Sequence, residues 1–238
     1  MNNGNTEKDN NTLIEFWDKA FAMSEEDMMQ EKETGKDSWS DLAPSEKLFK
    51  AAVSLGSAGK VLDYGCGSGW AGIIAAKSGC PDVTAVDVAP GAAKAAAFYA
   101  DLFDVADKVH VSCVSPSWIS EVPSCSYDGF ICSNVLDVVP AETAQDIIRQ
   151  SARVVRPGAS VIIGLNYYLS PETAASKGLE LVDGNRLYVD GVLRLVSLSD
   201  EEWTARFSDL FDVERLEHFA WPGEKSETRR LFYLRKKN

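Results

Sequence analysis

The stretch KVLDYGCGSGWAG, residues 60–72, passes from an apolar run through an aspartate into glycines at alternate positions, Gly65, Gly67 and Gly69. KVLDY predicts a buried strand, and AGIIAAKSG predicts a helix closed by Gly79. A glycine loop between strand and helix lets backbone approach a ligand closely, and the helix N-terminus adds unpaired N–H donors. Two common ligands are excluded by the spacing. A dinucleotide fingerprint needs GxGxxG, yet Trp70 stands where its third glycine is wanted, and no GxxxxGK[ST] phosphate loop is present. Asp63, at the end of the strand, would repel a pyrophosphate and favours a ligand bearing a cation.

Outward from the loop, short β-branched runs alternate with alanine-rich helical stretches. Strands are predicted at VTAVDV (83–88), KVHVSCV, YDGFICSN and ASVIIGLN; helices at PGAAKAAAFYADLF and PAETAQDIIRQSARVV, the latter stopped by Arg156–Gly158. This rhythm is that of an α/β, doubly wound, mostly parallel sheet. Further on, RLYVDGVLRLVSL reads as a hairpin about an Asp-Gly pair, lying over the sheet edge. Ser199 and Glu202 form a capping box for DEEWTARFSDL, and FDVERLEHF and TRRLFYLRKK then give an antiparallel C-terminal strand pair, seven strands in all. Ahead of the sheet, TLIEFWDKAFAM and PSEKLFKAAVSL are amphipathic helices joined by a charged, turn-rich linker.

Asp87 ends the second strand about twenty positions after the loop, where a carboxylate can bind both ribose hydroxyls of a nucleoside. A nucleoside plus a cation without phosphate describes S-adenosyl-L-methionine. VLDYGCGSG and VTAVDV resemble the first two motifs of class I S-adenosylmethionine-dependent methyltransferases; YDGFICSNVLDVVP and VRPGASVIIG resemble the fourth-strand motif and the fifth-strand region. The resemblance implies a Rossmann-like fold and in-line methyl transfer; the single-domain size, acidic charge and lack of a nucleic-acid module favour a small molecule as the acceptor. The same resemblance places Asp63, Gly65, Cys66 and Gly67 at the methionine end, Asp87 on the ribose, Val88 against adenine, and Ser133, Asn134 and Val135 as the floor. The third strand departs from the family pattern, with VSPSW where an acidic residue is common; Ser115 takes that place, and Trp118 is a stacking candidate. Asp137 and Val138 follow Leu136 where the family often has a histidine.

The catalytic residue stays open among Asp137, Tyr167 and Tyr168, with helix capping as the other role for Asp137 and packing as the other role for the tyrosines. Phe16, Trp17, Phe21 and Trp39 are candidates for a lid, or for core; His110 and His218 read as structural. A net charge of -12 argues against nucleic acid, and five cysteines without metal spacing argue against zinc or a disulfide scaffold. No membrane span or signal peptide is read, so a cytoplasmic monomer or homodimer is expected. The chain divides into a disordered tail (1–12), lid helices (13–58), cofactor core (59–166), substrate-side insertion (167–198) and closing elements (199–238). A nicotinamide-dependent oxidoreductase and a non-catalytic nucleoside-binding module are the alternatives.

Overall fold

A computed structural model describes residues 3–34 and 39–238. The elements are α1 (Asn3–Phe21), α2 (Glu25–Thr34), α3 (Glu46–Ser54), β1 (Val61–Tyr64), α4 (Trp70–Lys77), β2 (Val83–Asp87), α5 (Pro90–Leu102), β3 (Val109–Cys113), α6 (Trp118–Glu121), β4 (Tyr127–Ser133) and α7 (Ala141–Val154). They continue with β5 (Val155–Leu165), α8 (Pro171–Ser176), β6 (Arg186–Val189), β7 (Val192–Val196), α9 (Asp200–Ser208), β8 (Phe211–Phe219) and β9 (Arg229–Lys236).

Seven strands form one sheet in the order β3-β2-β1-β4-β5-β9-β8. Strands β1 to β5 pair parallel, and β9 lies antiparallel between β5 and β8. The winding reverses between β1 and β4, which opens a crevice beyond the carboxyl ends of these strands. Alternation along β1 splits the core in two. Leu62 and Tyr64 pack with Ile147 and Ile148 of α7 and Trp203 of α9, whereas Val61 packs with Leu48 of α3, Ile73 of α4 and Ala96 of α5. Every residue of α4 from Ala71 to Ala76 is buried, and its alanines and Gly72 let it lie close against the sheet. A fully apolar helix of this kind must be covered on all sides, and α3 supplies part of that cover.

Four sequence expectations need correction. Asn3–Thr12 is helical rather than disordered, because it continues α1 across the crevice, where Asn10 reaches Thr143 and Asp9 accepts from Tyr188; residues 1–2 lie outside the described residues. The charged linker contains α2, whose first turn gathers Glu25, Glu26 and Asp27 at the positive end of the helix dipole. Arg156–Gly158 does not separate helix from strand: β5 begins at Val155 and takes these residues up as an irregularity opposite β4. Finally, the β6–β7 hairpin is a separate two-stranded sheet lying against α1 rather than over the edge of the main sheet, with Val196 N–H donating to the Asp137 carbonyl, after β4, at 2.7 Å. Its two-residue turn, Asp190 (φ 52°) and Gly191 (φ 78°), is the left-handed pair that matches strand twist.

Candidate active site

Two adjoining cavities occupy the crevice, one of about 230 Å³ and one of about 80 Å³. Both are lined by Gly65, Asp87, Val88 and Val135, and both are roofed by Leu13 and Ile14 of α1. The glycine loop turns through left-handed backbone at Gly65 (φ 69°) and Gly67 (φ 54°). A side chain at Gly65 would collide with Val135, and one at Gly67 would meet the Phe21 ring at 2.9 Å, so the loop is bare where its neighbours close on it.

Asp87 is held by two backbone donors, Gly67 N–H at 3.0 Å to Oδ2 and Ala89 N–H at 2.9 Å to Oδ1. Burial pushes its carboxyl above the usual range, and these N–H groups work against that rise. Each oxygen keeps a further lone pair for a ligand hydroxyl. Asp63 sits differently. It is 3% exposed, lines neither cavity, and accepts from Gly72 N–H at 2.9 Å, pinning the first turn of α4 from behind the loop. Burial raises its carboxyl to about 7, with the Asp87 charge adding to the rise.

Cys66, Gly67, Ser133 and Asn134 line the larger cavity with Val135. Burial keeps the Cys66 thiol well above its usual pKa, so it is neutral. Asn134 holds a positive φ of 58°; its Oδ1 accepts from Ser133 Oγ at 3.1 Å, while its buried Nδ2 has no protein partner. Ser115 is exposed and its hydroxyl lies 3.1 Å from that of Ser117, so it is not at the cavity; Val114 and Pro116 on either side are. Trp118 packs into the core instead of lining the slot. The smaller cavity is a slot of valines with Asn10 and Thr143 as polar edge. Asn10 Nδ2 donates to Thr143 Oγ1 at 3.4 Å. Neither residue carries a motif, and nothing in the sequence sets Asn10 or Thr143 apart from the other polar residues of α1 and α7.

None of the three catalytic candidates lines a cavity. Asp137 is fully buried and accepts from Asn166 N–H at 2.5 Å, and the helix α7 has no side-chain cap, so Asp137 neither faces the crevice nor caps. Burial raises its carboxyl to about 6 against the opposing pull of Asn166 N–H and Arg230. Tyr167 packs on the small cluster of Leu169, Ala174, Leu187 and Leu195, and Tyr168 is 44% exposed. Of the lid candidates, Trp17 and Phe21 line the larger cavity, Phe16 stacks under Arg194, and Trp39 packs on Phe49. His110 is exposed, and His218 pairs with Asp200 at 2.9 Å. Among the described residues no cluster of metal ligands occurs and no helix is long and apolar enough to cross a membrane.

A sheet of this order, with an antiparallel last pair, a glycine loop after β1 and a carboxylate ending β2 at the switch point, defines the class I methyltransferase fold. Residues 61–158 match the family model described as "Methyltransferase domain", a match that supports a class I S-adenosylmethionine-dependent methyltransferase. The chain is 34% identical over 116 residues to a ribosomal protein L11 methyltransferase of Cupriavidus necator, 49% of this chain and 35% of that protein. A Cupriavidus metallidurans protein of the same name is 36% identical over 103 residues, 43% of this chain and 30% of that one. The chain thus spans about a third of the length of these curated relatives. Among solved structures, Burkholderia thailandensis 1,6-didemethyltoxoflavin-N1-methyltransferase superposes with TM-score 0.61 at 20% identity, covering 90% of this chain and 87% of that one. The N-methyltransferase NodS of Bradyrhizobium japonicum gives 0.59 at 13%, covering 90% and 98%. At such identities the likeness is one of fold.

Proposed function

We propose that the protein is an S-adenosylmethionine-dependent methyltransferase that methylates a small molecule and leaves S-adenosylhomocysteine. The observation that carries this reading is Asp87, held by two N–H groups at the end of β2 and lining both cavities, which suits a pair of ribose hydroxyls. The bare glycine loop and the unpartnered Asn134 Nδ2 fit the same ligand. When bound, the cofactor supplies a methyl group already activated on a sulfonium. The chain then has to bind, align and exclude water. Gly65, Cys66 and Gly67 offer backbone to the methionine end, Val88, Val114, Val135 and Val139 clamp the adenine, and α1 covers both cavities. Absence of an acid–base dyad from the described lining is compatible with this chemistry, since the donor needs no protonation. A small acceptor is supported by a crevice roofed by α1 and of modest volume.

Calorimetry with S-adenosylhomocysteine tests the reading. Binding is expected, weakened by about tenfold or more in Asp87→Ala, the worth of hydrogen bonds to a charged group. No heat at high concentration, or undiminished affinity in the variant, refutes it. Labelled S-adenosylmethionine is then offered to a small-molecule extract and to ribosomes, since the curated relatives are named for a ribosomal protein. Label in ribosomal protein alone refutes the small acceptor. Binding without transfer to any fraction leaves a nucleoside-binding module, and enhanced NADH fluorescence on mixing would point to an oxidoreductase.

A further inference from the structure

The larger cavity extends beyond the cofactor cradle to a compartment walled by Trp17, Phe21, Pro44, Trp70, Val138 and Trp221. These come from α1, the segment before α3, α4, the turn after β4 and the turn after β8, so the compartment exists only in the folded, lidded chain. No residue of 167–198 lines it. We infer that this compartment is the acceptor site, and that it takes an uncharged, flat aromatic compound methylated at a ring nitrogen whose lone pair is free at neutral pH.

The charge of the acceptor follows from the lining. Among the described residues, no Lys, Arg, His or Glu lines either cavity, and the one carboxylate, Asp87, is at the cofactor side with both oxygens already taking backbone N–H groups. A cationic amine or a carboxylate would have to shed its hydration without meeting a counter-charge, and so bind more weakly than a neutral compound. Flatness follows from four aromatic rings, one of them fixed. Trp221 is stacked on the Arg229 guanidinium at 3.4 Å, and that guanidinium is tied to Glu224 at 2.7 Å and to the Asn166 side chain. Trp221 Nε1 is buried without a protein partner, and a carbonyl or second ring nitrogen of the acceptor, other than the one methylated, would satisfy it.

The reacting atom follows from what the lining lacks. With Asp137, Tyr167 and Tyr168 outside the cavities and Asp87 on the cofactor side, none of the six side chains walling the compartment can take a proton from a neutral alcohol or from an ammonium. A ring nitrogen needs no such help. Its lone pair forms the N–CH3 bond as the methyl–sulfur bond breaks, the bonding pair goes to sulfur, and the positive charge passes to the methylated ring. That charge is spread over the ring and weakly hydrated, so aromatic walls hold it where a compact, strongly hydrated ammonium would need a carboxylate.

The inference rests on the methyltransferase reading, and the experiment separates the two. Protein saturated with S-adenosylhomocysteine is titrated with 1-methylbenzimidazole, benzylammonium and benzoate, followed by tryptophan fluorescence and calorimetry. The neutral ring is expected to bind about tenfold tighter than either ion. Trp221→Ala should weaken it by about tenfold and leave S-adenosylhomocysteine affinity unchanged, with Trp221→Phe restoring most of the loss. With S-adenosylmethionine, transfer to the neutral ring should give the N,N′-dimethylated cation at a rate flat between about pH 7 and pH 9. Ions binding as tightly as the neutral ring, an indifferent Trp221→Ala, or transfer confined to a phenol with a rate climbing with pH would overturn the acceptor class. Failure of S-adenosylhomocysteine itself to bind would overturn the reading beneath it.

Discussion

Asn10 and Thr143 are the polar groups facing each other at the edge of the valine slot, with Asn10 Oδ1 and the Thr143 hydroxyl proton left for a purine edge. We expect Asn10→Leu to raise the dissociation constant of S-adenosylhomocysteine by about tenfold and to abolish any preference over its inosine analogue, as calorimetry would read. Asp63 makes a different prediction. Burial raises its pKa from 3.8 to about 7, so between these values the folded chain holds a proton that the unfolded chain has released. The unfolded state binding fewer protons, stability falls as pH rises from about 4 to about 7, and Asp137, raised to about 6, acts in the same direction. Asp63→Asn keeps an acceptor for Gly72 N–H and removes one source of the slope. Between pH 5 and pH 7.5 its melting temperature should fall by about 5 °C less than the parent's, out of an upper bound of about 4 kcal/mol for a three-unit shift. Equal slopes would refute a buried, proton-holding Asp63. The glycines and Asp87 were legible because a left-handed turn and a strand-end carboxylate are written locally in spacing. Asp63 was legible as a carboxylate but not as one turned away from the crevice, and Asn10 reaches its place only through the docking of a whole helix.

That docking is the work of a few contacts. Asp18 accepts from Gly91 N–H at 2.6 Å, so α1 is seated on the N-terminus of α5, whose dipole favours the charge. Toward the hairpin, Tyr188 donates to Asp9 at 2.8 Å, and the Arg194 guanidinium lies 4.1 Å from the Phe16 ring and 5.8 Å from that of Trp17. The insertion read from sequence as the substrate side thus contacts α1, the helix over the cavities, and we expect it to hold that helix down. Arg194→Ala should release it: amide exchange across residues 13–21 should quicken, and S-adenosylhomocysteine should bind about fivefold more weakly, in proportion to a lost cation–π contact of about 1 kcal/mol. Unaltered exchange in α1 would show that the hairpin does not hold the lid. At this scale, the hairpin and the helix α9 were readable because Asp190-Gly191 and the Ser199–Glu202 box are local signals. The reach of α1 back to Asn3 was not, because its first turns gain their stability from α7 and the hairpin rather than from apolar residues of their own.

Across the whole molecule, one buried cation joins the parts that make the crevice. Arg230 on β9 is fully buried; it donates through Nε to the Asn166 carbonyl at 2.8 Å and through Nη1 to the Leu198 carbonyl at 2.5 Å, and lies 3.5 Å from Asp200 at the start of α9. Burial depresses its pKa, while the charges of Asp137 and Asp200 oppose that effect. The end of β5, both ends of the insertion, the turn after β4 and the C-terminal strand thus meet at one guanidinium. A buried ion pair adds little over an apolar pair of the same volume, but breaking it strands a charge. Arg230→Leu should therefore destabilise the fold by about 4 kcal/mol, a fall in melting temperature of about 10 °C, with two carbonyls and the Asp137 carboxylate left uncompensated. Asp137→Asn alone should cost less, because Asn166 N–H retains an acceptor. In the double variant the stranded carboxylate is gone, so the two losses should fall short of their sum by about 1–3 kcal/mol in a denaturant-melt cycle. Strict additivity would mean that Arg230 serves the two carbonyls alone and that Asp137 is held by Asn166 without it.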